Sequence, residues 1–386
     1  MELKPDLVRA ARHEELDEIA KHRVYWKVLR QLARDRGKRV IGTRWVDLDK
    51  GDEGAPSYRS RLVAKELRAF NPFAATDELF AATPPTEAQN LLLSMLCTRR
   101  SRRGRPYKLC FLDVRRAYFY AAATEEVYVE LPPELREQGK DEVGLLLKSL
   151  YGTRSGSRNW QLQLAKDLTG PALEFEQAKG SPCLFYHEGE DAHLVAFGDD
   201  LWLLADQPGL DALKPKLHAT YTLKEQGTLG PEASDDKVVR SLNRLIRYVD
   251  GVGVELEADP RHAELIVSEL GLTGARPVST PGAKEEAKAA TDAKAAEDEE
   301  PLSADESTAF RGIAARGLYL SVNRPETRFA VKELARRMAK PNQRDLRELK
   351  RFGRYLRGRP RVVMVYRLPG GGCRREEPRL TLHSGG

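Results

Sequence analysis

The sequence predicts an α+β fold. Three observations predict it. Short apolar runs of strand length are bounded by turn residues, and two pairs of such runs flank a polar turn. Amphipathic stretches of helical period lie between and after them. The 386 residues are 41% hydrophobic, enough to fill real cores. At roughly 150 residues per domain, two or three domains are expected. No uninterrupted apolar run approaches the ~20 residues of a spanning helix, so a membrane protein is excluded. Charges interrupt the N-terminal region throughout, which leaves no signal peptide. The four cysteines, Cys97, Cys110, Cys183 and Cys373, are scattered with no paired His/Cys spacing. Neither a zinc site nor a disulfide framework is indicated, and a reducing compartment is the simplest reading.

The elements follow in order. Residues 7–20 read as a helix, with Leu16, Ile19 and Ala20 on one face among charges. Two β-like runs, 40–48 and 57–64, are joined by the polar 49–54 stretch and read as a hairpin with a long loop. Residues 87–96, after Pro84-Pro85, look like a buried helix. A short strand is expected at 108–114, and an alternating one at 127–131 ends at Pro132-Pro133. Residues 157–168 read as a helix carrying Trp160. The 192–205 segment is two apolar runs around a polar turn, a strong hairpin candidate. Residues 258–272 look helical, with Ala263, Ile266, Val267 and Leu270 on one side. Residues 282–306 lack aromatics and read as a linker or transient helix, rich in Ala, Glu and Lys. Helices at about 307–321 and 326–338 precede a basic helix at 343–357. Its apolar stripe is Leu346, Leu349, Phe352 or Gly353, and Leu356. Arg344, Arg347, Arg351, Arg354 and Arg357 recur every three or four residues along another face.

Charge is unevenly spread. Lys and Arg number 64 against 58 acids, a net of +6. Residues 284–306 carry three lysines against nine acids, a local −6, and residues 307–386 carry 20 bases against six acids, a local +14. Everything before is near neutral at −2. A basic block after an acidic spacer suggests a polyanion partner, nucleic acid in particular. Solvated Arg-rich helices are the bland alternative.

Two places set carboxylates at the edge of apolar strands. Asp113 ends the 108–113 run, and Asp199-Asp200 occupy the tip of the 192–205 hairpin. An acidic hairpin turn is ordinary. Here two neighbouring carboxylates stand between apolar runs on both sides, and a divalent cation best offsets their repulsion. Hard oxygen ligands select Mg²⁺ or Mn²⁺, held by few carboxylates plus substrate phosphates. Two such ions can clamp the attacking and leaving oxygens of a phosphoryl transfer, with Asp113 as the third carboxylate bridging them.

At this point an ordered set of motifs becomes specific. They are Trp45-Val46 with Lys50, the Tyr58-to-Lys65 run (YRSRLVAK) and Leu112-Asp113-Val114-Arg115-Arg116-Ala117-Tyr118-Phe119. After these come Val127-Tyr128-Val129-Glu130-Leu131-Pro132, Ser149-Leu150-Tyr151-Gly152 up to Trp160, and Phe197-Gly198-Asp199-Asp200. Pro277-Val278-Ser279-Thr280-Pro281, Arg324-Pro325-Glu326 and Arg354-Tyr355-Leu356-Arg357-Gly358 complete the series. In this order they resemble the reverse transcriptase region of copia-type retrotransposon Pol polyproteins, from about residue 26 to 366.

The resemblance implies a polymerase right hand with an antiparallel palm sheet and a basic, mostly helical connection-like region. It implies a lead-in helix at 1–25, fingers and palm at 26–222, a thumb-like region at 223–281, the acidic linker at 282–306 and the basic region at 307–386. Asp113, Asp199 and Asp200 would be the catalytic, metal-holding carboxylates, with Asp113 and Asp199 the main ligands of two Mg²⁺ or Mn²⁺ ions. Arg59, Arg61 and Lys65, alternating on one strand, resemble residues that grip the triphosphate, or they form a solvated strand face. Tyr118 resembles the aromatic that packs under the incoming sugar and rejects a 2′-hydroxyl; core packing is the other reading of Tyr118 and Phe119. Ser155 and Lys224 complete the expected nucleotide-binding set. Phe197, Gly198 and the five arginines of the basic helix would meet nucleic acid.

Departures stand beside the likeness. Ser155 replaces a Gln, Phe197 a Tyr and Gly198 a Val, which is expected to loosen a strand. Ser241-Leu242-Asn243-Arg244 replaces an apolar strand. The carboxylate cluster of an RNase H domain is not found. The expected function is RNA-directed DNA synthesis from a primer on an RNA or DNA template with dNTPs, RNase H and integrase lying elsewhere in a parent polyprotein. The alternative is a decayed remnant that at most binds nucleic acid. The expected compartment is cytoplasmic, in a virus-like particle, or nuclear.

Overall fold

The computed structural model describes residues 3–51, 55–66, 79–258, 260–282 and 299–369. Most of the acidic 282–306 linker and the end of the basic block therefore lie outside the described residues. The chain divides into two compact units, 1–89 with 109–225, and 90–108 with 226–386. No described helix is long and apolar enough to cross a membrane.

The first unit opens with α1 (Pro5–Lys21), β1 (Tyr25–Leu29), α2 (Arg30–Asp35), β2 (Val40–Ile41), β3 (Thr43–Asp49) and β4 (Tyr58–Ala64). The expected hairpin is present: β3 and β4 pair antiparallel, with Val46 opposite Arg61 and Leu48 opposite Arg59. α3 (Thr86–Thr98) carries the chain into the second unit, and it returns along β5 (Lys108–Val114). β6 (Tyr128–Glu130) and β7 (Glu142–Leu146) join β1 and β2 in a sheet of order β1-β7-β6-β2. α4 (Gly156–Leu168), β8 (Glu176–Gln177), β9 (Leu184–His187), β10 (Ala192–Phe197), β11 (Asp200–Ala205) and α5 (Gln207–Thr220) follow.

The central sheet has six strands in the order β12-β5-β11-β10-β9-β8, with β12 at Leu223–Leu229. Residues Leu201 to Leu204 have no exposed surface, so β11 is covered on both faces. That is why it reads as a continuous apolar run rather than an alternating one. On one face Leu201 and Leu203 share a core with Trp160, Leu164 and Leu168 of α4 and Leu210, Leu213 and Leu217 of α5. On the other, Phe111 meets Trp202 edge-on at 5.0 Å between ring centroids. Each such side chain contributes about 1.5–3 kcal/mol by burial. Asp206 then ends the hairpin and starts α5, its carboxylate accepting from the Gly209 N–H at 2.9 Å.

β12 (Leu223–Leu229) leads into the second unit. There β13 (Val238–Ser241), β14 (Arg244–Val249), β15 (Gly253–Ala258) and, far along the chain, β16 (Val363–Arg367) form one antiparallel sheet. Leu242 and Asn243, both at positive φ, make the two-residue turn between β13 and β14. Thus the segment expected to stand in place of an apolar strand is a tight hairpin turn. α6 (Arg261–Glu269), α7 (Ala304–Ser321), α8 (Arg328–Arg336) and α9 (Gln343–Gly358) pack together. Ser303 and Asn342 begin α7 and α9 with reciprocal capping boxes.

One expectation changes here. The thumb-like 223–281 and the connection-like 307–386 are not separate bodies. Ala263, Ile266 and Val267 share one core with Phe310, Ile313, Leu349, Phe352 and Leu356. The described part of the basic region is mostly helical, as expected, and β16 adds the fourth strand of the sheet, Leu256 opposite Met364. The apolar stripe of α9 needs a partner, and the face of α6 supplies it.

Candidate active site

Three elements of the first unit converge on the predicted carboxylates. Asp113 is the only residue of β5 that is not fully buried. One residue on, the Val114 N–H donates to the Asp199 carbonyl at 2.8 Å, which fastens the end of β5 to the β10–β11 turn. In that turn Phe197 and Asp200 are paired and Gly198-Asp199 form the loop. Gly198 has φ +72°, the first position of a two-residue hairpin turn that glycine suits best. Gly198 therefore sits in the turn, so it tightens the hairpin and does not loosen a strand. From behind, the buried Trp160 of α4 donates its indole N–H to the Gly198 carbonyl at 2.8 Å.

Burial pushes the Asp113 carboxyl up, and the negative charge of Asp199 pushes it further; Arg59, Lys224 and Lys50 pull it back. The Lys50 ammonium is held below its ordinary value by burial and by Arg59 and Arg61, with Asp113 and Asp199 opposing. Two carboxylates and four cations thus share one electrostatic neighbourhood. Asp200 begins β11. Among the described residues no three His, Cys, Asp or Glu side chains gather as a metal-holding group; Asp113 and Asp199 are the two carboxylates whose charges act on each other. Their half-buried, mutually repelling, hard-oxygen donors fit a divalent cation that also takes oxygens from a phosphate.

Beside Asp199 opens a cavity of about 450 Å³, lined in part by Arg61, Tyr118, Tyr151, Ser157 and Gly198. That volume suits a nucleotide-sized ligand. Its aromatic wall is ordered. Tyr118 stacks on Tyr151 at 4.9 Å, the Arg61 guanidinium lies 4.9 Å above the Tyr151 ring, and the Tyr118 hydroxyl bonds Ser157 Oγ at 2.5 Å.

Other predicted site residues fall elsewhere. Phe119 has no exposed surface and packs with Leu16, Ile19 and Leu62. It is a core residue and offers a nucleotide nothing. Ser155 is the residue before α4 and does not line the cavity; Ser157 does. Lys65 lies one residue past β4, its Cε 2.9 Å from where a Gly42 side chain would begin. Phe197 packs against Trp202 at 5.1 Å. In the second unit, Arg351 donates to Thr280 Oγ1 at 2.7 Å, Arg354 to the Arg276 carbonyl at 2.7 Å, and Arg357 to the carbonyls of Thr273 and Ala275. These three guanidiniums tie down the 273–280 segment. Arg344 and Arg347, nearer the start of α9, are exposed.

Sequence reasoning missed Lys50, Tyr151, Ser157 and Trp160 as parts of the site. Lys50 had a signal, its place in the loop of a hairpin that also bears Arg59 and Arg61.

Residues 26–284 match the family described as reverse transcriptase (RNA-dependent DNA polymerase). The chain belongs to the reverse transcriptase family. It is 25% identical over 336 residues to a retrovirus-related Pol polyprotein from transposon RE1 of Arabidopsis thaliana, covering 83% of this chain and 20% of that protein. Against the Pol polyprotein from transposon TNT 1-94 of Nicotiana tabacum, identity is 25% over 280 residues, 70% of this chain and 19% of the other. A Ty1-BR Gag-Pol polyprotein of Saccharomyces cerevisiae is 29% identical over 152 residues, 39% of this chain and 8% of that one. This reverse transcriptase sequence spans about a fifth of the length of the plant relatives. The match to the family includes Asp113, Asp199 and the cavity between β4, α4 and the β10–β11 turn, and leaves α1 outside it.

Proposed function

We propose that the first unit is the catalytic part of an RNA-directed DNA polymerase, extending a primer 3′-hydroxyl by attack on the α-phosphate of a dNTP with release of pyrophosphate. One observation carries this reading. Asp113 and Asp199 share a neighbourhood with Lys50, Arg59 and Lys224, beside a cavity walled by Tyr118, in a chain of this family. Asp113 and Asp199 would hold divalent ions, Mg²⁺ or Mn²⁺, which when bound with substrate phosphates stabilise charge on the attacking and leaving oxygens. Lys50, Arg59, Arg61 and Lys224 balance the triphosphate. The stacked Tyr118–Tyr151 pair forms the floor for the sugar.

In right-hand terms, the β3–β4 hairpin serves as fingers and strands β5-β11-β10-β9-β8 of the central sheet as palm. The second unit combines thumb-like and connection-like roles in one body. Its basic surface, Arg344 and Arg347 included, would hold the phosphate backbone of an RNA or DNA primer–template by salt-sensitive contacts. RNase H and integrase activities belong, in this reading, to other segments of a parent Pol polyprotein.

Primer extension on an RNA template with Mg²⁺ or Mn²⁺ tests the proposal. Wild type should incorporate dNTPs, and the Asp199→Asn/Asp200→Asn double variant should lose at least about a hundredfold, the equivalent of two tenfold steps in barrier height. Equal absence of incorporation in both, with duplex binding retained, would leave a nucleic-acid-binding remnant as the function.

A further inference from the structure

α1 lies before the residues that match the family, yet it touches both walls of the site. On one side it grips the turn after β5. Arg116, directly before the short helical turn Ala117–Tyr120, has φ +53°, a left-handed conformation that a bulky side chain rarely adopts. Such a conformation persists only where its surroundings enforce it. Here α1 does so. Arg116 Nε donates to Glu15 Oε2 at 2.9 Å, a second nitrogen donates to Glu14 Oε1 at 3.0 Å, and Glu18 lies 3.9 Å away. Glu15 is only 3% exposed, and its other carboxylate oxygen has no hydrogen-bond partner.

On the other side α1 grips the β3–β4 hairpin. Arg12 donates twice to Asp47, at 2.7 and 3.2 Å, and lies 5.2 Å over the Trp45 ring. Asp47 also accepts from Ser60 Oγ on β4 at 2.7 Å. Leu16 and Ile19 fill the space between, packed with Leu62 of β4 and Phe119 of the turn. Arg61 and Glu15 act on each other electrostatically, and both act on Tyr151.

We propose that Glu15 is a positioning residue of the site: through Arg116 it sets the turn that presents Tyr118 to the cavity, while the rest of α1 sets the hairpin that presents Arg61. An unpaired Arg116 would relax out of its left-handed conformation, and the Tyr118–Tyr151 wall would lose its register with Arg61. The helix is thus a brace between the nucleotide's sugar side and its phosphate side. The kinetic consequence rests on the polymerase reading; the brace itself does not.

The test uses the full chain and two readouts. Glu15→Gln keeps the size and removes the charge. Hydrogen exchange of the peptide covering 114–121 should quicken at least tenfold in this variant, with exchange of β10 and β11 unchanged. In primer extension the KM for dNTP should rise about tenfold while kcat stays within about twofold. Glu15→Asp keeps the charge beside Arg116 and should fall between wild type and Glu15→Gln in both readouts. Unchanged exchange at 114–121 overturns the proposal, as does faster exchange with an unaltered KM. An even loss of protection across the whole unit also overturns it, because that marks general destabilisation. If wild type incorporates nothing, the polymerase reading fails, and the exchange experiment still decides the brace.

Discussion

The backbone N–H of Val114 donates to the carbonyl of Asp199 across 2.8 Å. Val114 is 1% exposed, so this bond is sheltered from water. It contributes about 1 kcal/mol net. Its geometric effect is larger, because it fixes the end of β5, which carries Asp113, against the turn that carries Asp199. The Trp160 indole supports the same turn from below. The carboxylates are therefore held close by backbone and core contacts, and their mutual repulsion is a property of the folded chain before any ligand arrives.

Gly198 is the weak point of that arrangement. At φ +72° a Cβ would meet nothing within 4 Å, so substitution costs backbone conformation and not space. Gly198→Ala should cost about 1–2 kcal/mol, and Gly198→Val, which restores the residue of the copia-type motif, should cost more because Val is β-branched. Gly198→Asn should be milder. Urea denaturation ranks the three. A Val variant as stable as wild type would show that the turn can adopt another form.

Tyr118 tests the cavity. Its ring is stacked on Tyr151 and its hydroxyl is tied to Ser157. Tyr118→Phe keeps the ring and should keep the preference for dNTPs over rNTPs. Tyr118→Ala removes the floor under the sugar and should raise relative rNTP use tenfold or more, the order expected when a shaped pocket loses its discriminating contact. Single-nucleotide incorporation with matched dNTP and rNTP gives the ratio. An unchanged ratio would mean that this ring does not face the sugar.

Much of this was legible in the residues. The β10–β11 hairpin announced itself because two apolar runs bracket a Gly-Asp-Asp turn, and the β3–β4 pair because its strands alternate around a polar loop. Phe119 was legible only as one of two readings, site or core: adjacent to Tyr118, it differs only in packing with Leu16 and Leu62, far earlier in sequence. The same limit applied to α9. Periodicity placed its arginines on one face but carried no information on what that face meets, and the 273–280 segment meets three of them. Local pattern likewise could not reveal that residues on either side of the acidic stretch share one core.

Acid should loosen the second unit through Glu257. Burial pushes its carboxyl up, but hydrogen bonds from Arg361, at 2.6 and 2.9 Å, and Arg247, at 2.9 Å, outweigh burial and hold it below the ordinary carboxylate range. A depressed folded value means stability that is fully present above about pH 4.3, the ordinary Glu value, and lost as pH falls through the depressed one. Glu257→Gln should cost about 2 kcal/mol at pH 7, the order of hydrogen bonds to charged groups. It should also flatten the decline between about pH 5 and 3. Exchange of the β14 and β15 amides across that window measures both. A variant whose decline is as steep as wild type would assign the acid sensitivity to other carboxylates.

The five arginines of α9 should separate into two classes. Arg351, Arg354 and Arg357 are engaged with the 273–280 segment of their own chain. Replacing Arg357 with Ala removes bonds to two carbonyls and should lower stability by about 1–2 kcal/mol, leaving the salt dependence of duplex binding unchanged. Arg344 and Arg347 lie exposed at the other end of the helix. If they contact phosphates, Arg344→Ala/Arg347→Ala should weaken binding evenly across sequences. It should also reduce the slope of log affinity against log salt by about 1.8, near 0.9 per phosphate contact. Binding isotherms from 50 to 300 mM salt, paired with thermal melts, read both classes at once. A reduced slope for Arg357→Ala with unchanged stability would reverse the assignment and place Arg357 among the phosphate contacts.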